Sequence, residues 1–273
     1  MKILTTIAEV RALLDPARAA GKTIGVMGTS GRMHNGHLSL LKRAVAENDL
    51  AIMFWMGGGP ALYERNWDDD SQLLATTGIE YAYVPDFSDY MPVRPALTVT
   101  LVPALSSGAP PMEAIEHLDA VSTSTAKLFN IFGKMRYYSG EKDWQQLAMF
   151  KRMAIDMSYD IEVIGCEVVR EADGVAMSSR NVKLTPEERA KAPALYQALQ
   201  AGKAAIEGGE TDSGRVVALI GDKMEQAGEV IYVHAVDAET LQPMDILKGD
   251  IRIIASLRLG EVPLVDNIGA TTG

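Results

Sequence analysis

Two histidines lie three residues apart in the segment His34-Asn35-Gly36-His37. The segment follows a short apolar run and a glycine-containing loop, and it opens a stretch with helical periodicity. The free N–H groups and the dipole at a helix start favour phosphate, and two imidazoles on one face add further donors. The pattern therefore predicts a phosphate-binding helix start at His34, Gly36 and His37. Two surface histidines without a function are the alternative, and a zinc site is disfavoured because no third ligand lies near them.

A second polar segment, SGEKDWQQ at residues 139–146, follows the end of a predicted strand. Ligands in open α/β sheets bind outside the carboxyl ends of the strands. Lys142 at such a place can neutralise phosphate, and Asp143 can accept hydrogen bonds from ribose hydroxyls. Gln146 can hold a substrate carboxylate or hydroxyl. An ordinary charged loop that caps a helix is the alternative interpretation.

The third segment, DGVAMSSRN at residues 173–181, places two hydroxyls and an arginine in a glycine-containing loop. Arg180 offers bidentate donors to phosphate, and Ser178 and Ser179 stand beside it, so the loop can close on a bound nucleotide. A purely structural turn between domains is the alternative. A histidine pair at a helix start with an MSSR loop downstream is the layout of the nucleotidyl-transfer superfamily, and it predicts chemistry at the α-phosphate.

These segments, together with VSTSTAKLFN at residues 121–130 and LVDNI at residues 264–268, resemble the pantothenate synthetase family over nearly the whole chain. The resemblance implies an ATP-dependent ligase that requires Mg²⁺, forms a homodimer and has a Rossmann-like domain with a smaller lid domain. By matching position it also implies roles for individual residues. These are His34, Gly36 and His37 at ATP phosphates and adenine; Gly140, Lys142 and Asp143 at the nucleotide; Val169 and Met177 at the adenine; Ser178, Ser179 and Arg180 at the phosphates; Gln146 at the acid; and Asp69 and Asp70 at magnesium.

A solvated helix N-terminus explains Asp69 and Asp70 nearly as well as a magnesium site does. Three segments also depart from the family pattern. Ser30 stands in the acid pocket where the family has methionine, the run at residues 57–61 replaces Asn-Pro-x-Gln, and the run at residues 114–118 keeps only His117 of Arg-Pro-Gly-His-Phe. The nucleotide half of the site is thus kept, while the half that recognises acid and amine is rewritten.

Losing a hydrogen-bonding partner of a substrate hydroxyl can change specificity by orders of magnitude. The sequence therefore predicts an ATP-dependent carboxylate–amine ligase that forms an amide through an acyl-adenylate and uses a changed small acid or amine. The first alternative is a pantoate–β-alanine ligase with the family's own substrates. A nucleotidylyltransferase and an ATP-binding pseudoenzyme are further alternatives.

The elements that must position these residues alternate between strands and helices, which predicts an α/β fold with a parallel, Rossmann-like sheet. A helix start at Thr185-Pro186 with Glu188 predicts a boundary there, so we expect an ATP-binding catalytic domain at residues 1–182 and an α+β lid domain at residues 183–273. The strands are expected at 23–27, 50–56, 79–84, 135–138, 161–170, 230–236 and 251–257. The helices are expected at 7–20, 38–45, 68–77, 113–132, 145–157, 186–207 and 212–227.

Composition restricts the partners and the compartment. The net charge is −10 and the pI is near 5.0, which argues against non-specific binding to nucleic acid or to anionic membranes. Cys166 is the single cysteine, so no intrachain disulfide can form. No run reaches the ~18 uncharged apolar residues of a membrane helix, and we expect a cytoplasmic protein.

Overall fold

The computed structural model describes residues 1–56, 67–90, 97–100 and 115–273, apart from the side chains of residues 87, 88 and 115–117. The chain divides into two compact units. Of the described residues, the first contains those within Met1–Thr100, Asp119–Glu141 and Met149–Glu167. The second contains residues 115–118, Lys142–Ala148 and Val168–Gly273.

A six-stranded, fully parallel sheet forms the centre of the first unit, with the strand order β1-β4-β3-β2-β5-β6. Its strands are β1 (Lys2–Leu4), β2 (Ile24–Thr29), β3 (Leu50–Trp55), β4 (Tyr81–Tyr83), β5 (Met135–Gly140) and β6 (Ile161–Cys166). The helices that alternate with them along the chain are α1 (Ile7–Ala19), α2 (Asn35–Glu47), α3 (Trp67–Leu74), α4 (Phe87–Tyr90), α5 (Ile115–Phe132) and α6 (Trp144–Asp156).

The central strands of this sheet are apolar throughout because a parallel sheet is covered on both faces. All six residues of β3, with the sequence LAIMFW, are buried. Met27 of β2 and Met53 of β3 pack with Leu41 of α2 in one apolar cluster, and each is fully buried. The helix α1 begins at a capping box in which Thr6 and Glu9 bond each other's backbone N–H groups. In the first unit, the apolar strands and the helix cap expected from the sequence therefore agree with the observed burial and hydrogen bonds.

The second unit contains a three-stranded antiparallel sheet in the order β7-β8-β9. Its strands are β7 (Glu229–Asp237), β8 (Asp250–Leu259) and β9 (Val262–Thr271), and its helices are α7 (Pro186–Lys191), α8 (Pro193–Glu207) and α9 (Ser213–Glu225). Gly202 of α8 lets the helices approach closely, because a Cβ there would lie 2.3 Å from Ile220 Cδ1 of α9. Ile253 of β8 lies in the same buried cluster.

The predicted α/β class, with a parallel sheet and a smaller α+β part, is confirmed. Two predicted elements are wrong in detail, and two strands are absent from the prediction. The helix expected at 186–207 is two helices, because Pro193 cannot donate the backbone hydrogen bond that continuity requires. The strand expected at 161–170 ends at Cys166, and β1 and β9 were not predicted. In β9 the buried polar side chains of Asp266 and Asn267 disguise the apolar pattern of a strand.

The domain boundary between residues 182 and 183 stays a prediction. In the structure, residues 168–182 belong to the second compact unit. Among the residues that the structure describes, no helix combines the length and the apolar character that crossing a bilayer requires.

Candidate active site

The strand order of the first unit marks one place on the sheet edge as a crevice for ligands. Chain order runs from β2 through β3 to one side of the sheet, whereas β5 pairs with β2 on the other side. The pairing is parallel, so both strands end at the same edge, β2 at Thr29 and β5 at Gly140. Ligands of open α/β sheets bind at such a switch point, outside the carboxyl ends of the strands. The first two sequence segments follow these two strand ends.

The loop after β2 is tightly folded. Gly31 and Arg32 both adopt positive φ angles, of 102° and 54°, a region that residues other than glycine rarely enter. The N–H of Gly31 donates to Thr29 Oγ1 at 3.2 Å, and the N–H of Met33 donates to Asp70 Oδ1 at 2.7 Å. These two bonds hold the loop on the sheet edge and determine where the next helix begins.

His34 is the N-cap of α2, as the helix-start interpretation requires. Its Nδ1 accepts a hydrogen bond of 3.1 Å from the N–H of Gly36. Since Nδ1 accepts, a neutral ring carries its proton on Nε2 and can donate from that atom. The ring of His37 lies 4.0 Å from that of His34, centroid to centroid. The structure therefore brings His34, Gly36 and His37 together at one helix start.

Asp70 does not present a carboxylate that fits a magnesium ion. Its side chain is 3% exposed, Oδ1 accepts from Met33, and Oδ2 accepts from Trp55 Nε1 at 2.9 Å. Asp69, its neighbour on α3, is exposed. Within the described ranges, no group of three or more His, Cys, Asp or Glu side chains is arranged to hold a metal ion. Asp70 acts here as a structural acceptor that bridges the loop before His34 and the end of β3.

Lys142 lies in a single 3₁₀ turn, Glu141–Asp143, that follows β5 directly. Its side chain is 19% exposed, and Nζ lies 3.1 Å from Asp143 Oδ1. Gln146 follows in the first turn of α6 and is partly buried. A largely covered ammonium group can bind a phosphate strongly, because the loss of water around it strengthens its electrostatic interactions.

The third segment begins as a short hairpin in the second unit. The N–H of Met177 donates to Val169 O at 2.9 Å, so the two residues predicted to lie at the adenine are direct neighbours. Arg170 and Ala176 form the adjoining bridge, and Gly174 turns the chain with a φ angle of 93°. A side chain at Gly174 would also collide with Tyr196, whose Cδ1 lies 2.7 Å from an added Cβ.

Charged and amide side chains hold this hairpin and the serines that follow it. Arg189 of α7 donates to Asp173 Oδ2 at 2.6 Å and to Glu171 Oε2 at 2.7 Å. Its guanidinium lowers the pKa of the Asp173 carboxyl. Asn181 Nδ2 donates to Glu171 Oε1 and to Ala176 O. These contacts fix the base of the segment that carries the predicted phosphate ligands.

Ser178, Ser179 and Arg180 are partly buried in the turn that precedes α7. Ser178 Oγ accepts the N–H of Arg180 at 3.2 Å, which places these two residues together. Ser30 is exposed at the end of β2. The other departures from the family pattern, residues 57–61, Ala114 and the side chains of residues 115–117, lie outside the described part of the chain.

Sequence reasoning missed a buried polar cluster in the second unit. Its members are joined by hydrogen bonds and by stacking, and they contact the Lys142 segment and the hairpin: Trp144, Arg170, Arg252, Asp266 and Asn267. In the sequence, the run LVDNI carries only a resemblance to the family. The available signal was a pair of polar residues inside an otherwise apolar stretch near residue 266, which is typical of buried residues with fixed partners.

Comparisons with known proteins give one consistent result. A family model described as pantoate-beta-alanine ligase matches residues 2–269. Pantothenate synthetase 1 of Frankia alni is 42% identical over 97% of this chain and 96% of its own length. Pantothenate synthetase of Cereibacter sphaeroides is 37% identical over 97% of this chain and 98% of its own length. A crystal structure of pantothenate synthetase from Thermus thermophilus matches with a TM-score of 0.87 and 33% identity, over 98% of this chain and 99% of that one.

Proposed function

Because the chain belongs to the pantoate–β-alanine ligase family and is an ATP-dependent, AMP-forming ligase, we propose that its substrates are pantoate and β-alanine. The family match over residues 2–269 carries this proposal. The histidine-bearing helix start at the switch point of the sheet supports it, because this is where a nucleotide binds in such a fold.

The comparisons favour pantoate and β-alanine over the changed acid or amine that the sequence suggested. Relatives named for pantothenate synthesis match at 37–42% identity over 97% of the chain. Of the three departures behind the changed-substrate hypothesis, two have a described side chain, the exposed Ser30 and the buried Leu118. We therefore adopt the family's own substrate pair.

In the first step a carboxylate oxygen of pantoate attacks the α-phosphorus of ATP, and the bond to the bridging oxygen breaks. Pyrophosphate leaves and an acyl-adenylate forms. We assign Lys142 and Arg180 to the negative charge that grows on the phosphate oxygens. His34 contributes Nε2–H as a neutral donor, since its Nδ1 already accepts from Gly36. His37 and the hydroxyls of the serine pair at 178 and 179 add further donors.

In the second step the amine nitrogen of β-alanine attacks the acyl carbon, the acyl–phosphate bond breaks, and AMP leaves. The nitrogen loses a proton and the amide remains. This route needs no side-chain nucleophile, because the adenylate is already an activated acyl group. Gly140 and Asp143 are assigned to the nucleotide, Val169 and Met177 to the adenine, and Gln146 to the acid.

We assign the expected Mg²⁺ ion to the phosphates of ATP rather than to the Asp70 carboxylate. Mg²⁺ usually keeps several waters and is bound by substrate phosphates with one or two carboxylates. Asp69 is the exposed carboxylate of the pair, whereas both oxygens of Asp70 accept hydrogen bonds from protein donors. The homodimer is a separate prediction, which sedimentation of the purified protein tests.

The function is tested by steady-state kinetics with pantoate, β-alanine and ATP, following AMP and the amide product. We expect a kcat/KM for pantoate of ~10⁴ M⁻¹s⁻¹ or higher, the usual range for an enzyme on its own substrate. A value at least ~10²-fold lower than that of another small acid in a parallel panel would restore the changed-substrate hypothesis. Pyrophosphate release without amine-dependent AMP release would indicate a nucleotidylyltransferase instead. No turnover with any acid would indicate a pseudoenzyme.

A further inference from the structure

Two neighbouring polar residues of β9 are buried in the second unit. Asp266 and Asn267 are each 1% exposed. Burying an amide or a carboxylate is costly unless hydrogen bonds compensate for the lost water. The partners of these two side chains therefore indicate why polar residues occupy a strand whose other inward positions, such as Leu264 and Ala270, are apolar.

Asn267 holds the main chain of Lys142. Its Nδ2 donates to the backbone oxygen of Lys142 at 2.7 Å, and its Oδ1 accepts from Arg252 Nε at 2.6 Å. Both ends of the amide are thus engaged, so its orientation is determined. The contact with Lys142 joins residues far apart in sequence, and all three residues belong to the second unit.

The guanidinium of Arg252 also holds Trp144, which lies two residues after Lys142. Its Cζ lies 3.6 Å from the centroid of the Trp144 ring, within the range of a cation–π interaction. Trp144 Nε1 in turn donates to Ala238 O at 3.0 Å. The short turn that carries Lys142 is therefore held at its own carbonyl and again at Trp144.

Asp266 holds the hairpin that leads to the serine pair. Its carboxylate accepts two hydrogen bonds from Arg170, at 2.5 and 3.0 Å, and a third from the backbone N–H of Asn267 at 2.8 Å. Burial raises the pKa of the Asp266 carboxyl, and the Arg170 guanidinium acts in the opposite direction. Arg170 also donates to Gly174 O, so it ties the turn of the hairpin to β9.

We propose that Asp266 and Asn267 are positioning residues for the adenylation step, acting through the Lys142 main chain and through the Arg170 hairpin. The inference rests on the proposed function, because it requires Lys142 to take part in the transfer. Strand β9 thereby fixes the positions of two segments that are assigned to the nucleotide, the Lys142 turn and the Arg170 hairpin. A displacement of a reacting group by 1 Å can cost about a hundredfold in rate, so anchoring of this kind matters for turnover more than for binding.

The first test is Asn267→Ala, which removes the amide's hydrogen bonds to the Lys142 main chain and to Arg252. We expect kcat to fall at least ~10-fold, while the KM for pantoate changes less than ~3-fold. Ser256→Ala is the matched control, because Ser256 is equally buried and its Oγ donates to Leu264 O between β8 and β9. The control should lose stability without losing kcat. Equal kcat losses in the two variants would overturn the proposal.

The second test separates positioning from general support by combining Asn267→Ala with Lys142→Ala. If Asn267 acts through Lys142, its removal should cost less than ~2-fold once the lysine side chain is gone. Additive losses would overturn the proposal and leave Asn267 a structural residue. If Lys142→Ala alone keeps full activity, the assignment of Lys142 fails first, so the two failures are distinguishable.

A third variant keeps the proposal testable if Asn267→Ala does not fold. Arg252→Met removes the Nε donor to Asn267 Oδ1, and its unbranched side chain can still cover the Trp144 ring. We expect a fall in kcat at least ~3-fold larger than that of Ser256→Ala, measured at matched folded fractions by circular dichroism. Wild-type kcat in the folded Arg252→Met protein would contradict the inference.

Discussion

The backbone N–H of Met33 donates a hydrogen bond of 2.7 Å to Oδ1 of Asp70, and both residues are buried. Met33 is the residue before His34, so a carboxylate on α3 determines where the N-cap of α2 stands. The second oxygen accepts from Trp55 at the end of β3. One acidic side chain therefore ties the predicted phosphate-binding helix start to the central sheet.

The first prediction concerns Asp70→Asn. An asparagine has one acceptor oxygen, so its NH₂ group must face one of the two N–H donors, and leaving such a buried donor unsatisfied costs about 1–3 kcal/mol. We expect a lower denaturant midpoint for unfolding and a reduced kcat, because the loop before His34 loses its anchor. Denaturation followed by circular dichroism and steady-state kinetics measure the two effects.

Asp69→Asn is the control for that variant, since Asp69 is the exposed neighbour on the same helix. We expect unchanged stability and no loss of kcat at saturating Mg²⁺. If the two variants instead show equal rises in the Mg²⁺ concentration needed for half-maximal rate, without a stability loss in Asp70→Asn, then Asp70 binds the metal and its structural role is wrong.

The second prediction is that Lys142→Ala lowers the adenylation rate at least ~10²-fold while the protein stays folded, because one preorganised charge is lost from the transition state. Pyrophosphate release measures the rate. Lys151→Ala, an exposed lysine on α6, is the control and should retain the wild-type rate. Unchanged pyrophosphate release in Lys142→Ala would remove the lysine from the mechanism.

The third prediction concerns Arg189→Gln, which breaks the bonds to Glu171 and Asp173 and loosens the hairpin. Ordering such a segment on binding costs about 1 kcal/mol, so we expect the KM for ATP to rise about 3- to 10-fold while the KM for pantoate stays constant. Arg215→Gln is a fair comparison, because Arg215 also lies beside two carboxylates but is 74% exposed. Equal effects of the two substitutions would show that the hairpin anchor is unimportant for ATP.

The fourth prediction concerns pH. Burial lowers the pKa of His234 on β7 below its ordinary value of 6.5, so the unfolded chain binds a proton that the folded chain resists. Above about pH 6.5 the ring is neutral in both states, and the free energy of unfolding keeps its full value. As the pH falls towards the lowered folded pKa, the unfolded chain takes up the proton first, and the free energy of unfolding decreases. His234→Gln should remove this slope. Urea unfolding at pH 8 and pH 5.5 tests it, and a constant difference between the two proteins at both values would refute it.

The parallel sheet could be predicted from the sequence because its signals are local. The apolar run of β3 and the cap of α2 at His34 each depend on a few neighbouring residues, and so does the capping box at Thr185 in the second unit. The hairpin pairing of Val169 with Met177 was expected only as a shared adenine region. The structure supplies its reason, a backbone hydrogen bond across a glycine turn.

The buried polar contacts could not be predicted, because each joins residues far apart in the chain. From the sequence alone, Asp70 is a candidate magnesium ligand or part of a solvated helix start, since nothing local shows that Met33 and Trp55 donate to its oxygens. The same holds for Asn267 and Lys142, whose contact exists only once β9 is in place. A polar residue in an apolar stretch indicates that a hydrogen-bonding partner exists, but it does not show which residue that partner is.

The pairing of β2 with β5 has a consequence for how the chain assembles. Gly25 is paired with Arg136, whereas the pairs β2–β3 and β5–β6 join strands that are near in sequence. Closing the long connection carries the larger entropic cost, so contacts of high sequence separation form slowly. The crevice at the switch point therefore lies where two parts of the chain meet, one that forms the β2–β3 pair and one that forms the β5–β6 pair. Substitutions along the β2–β5 pairing are expected to slow refolding more than substitutions at β6, an edge strand that pairs with its near neighbour in sequence, β5.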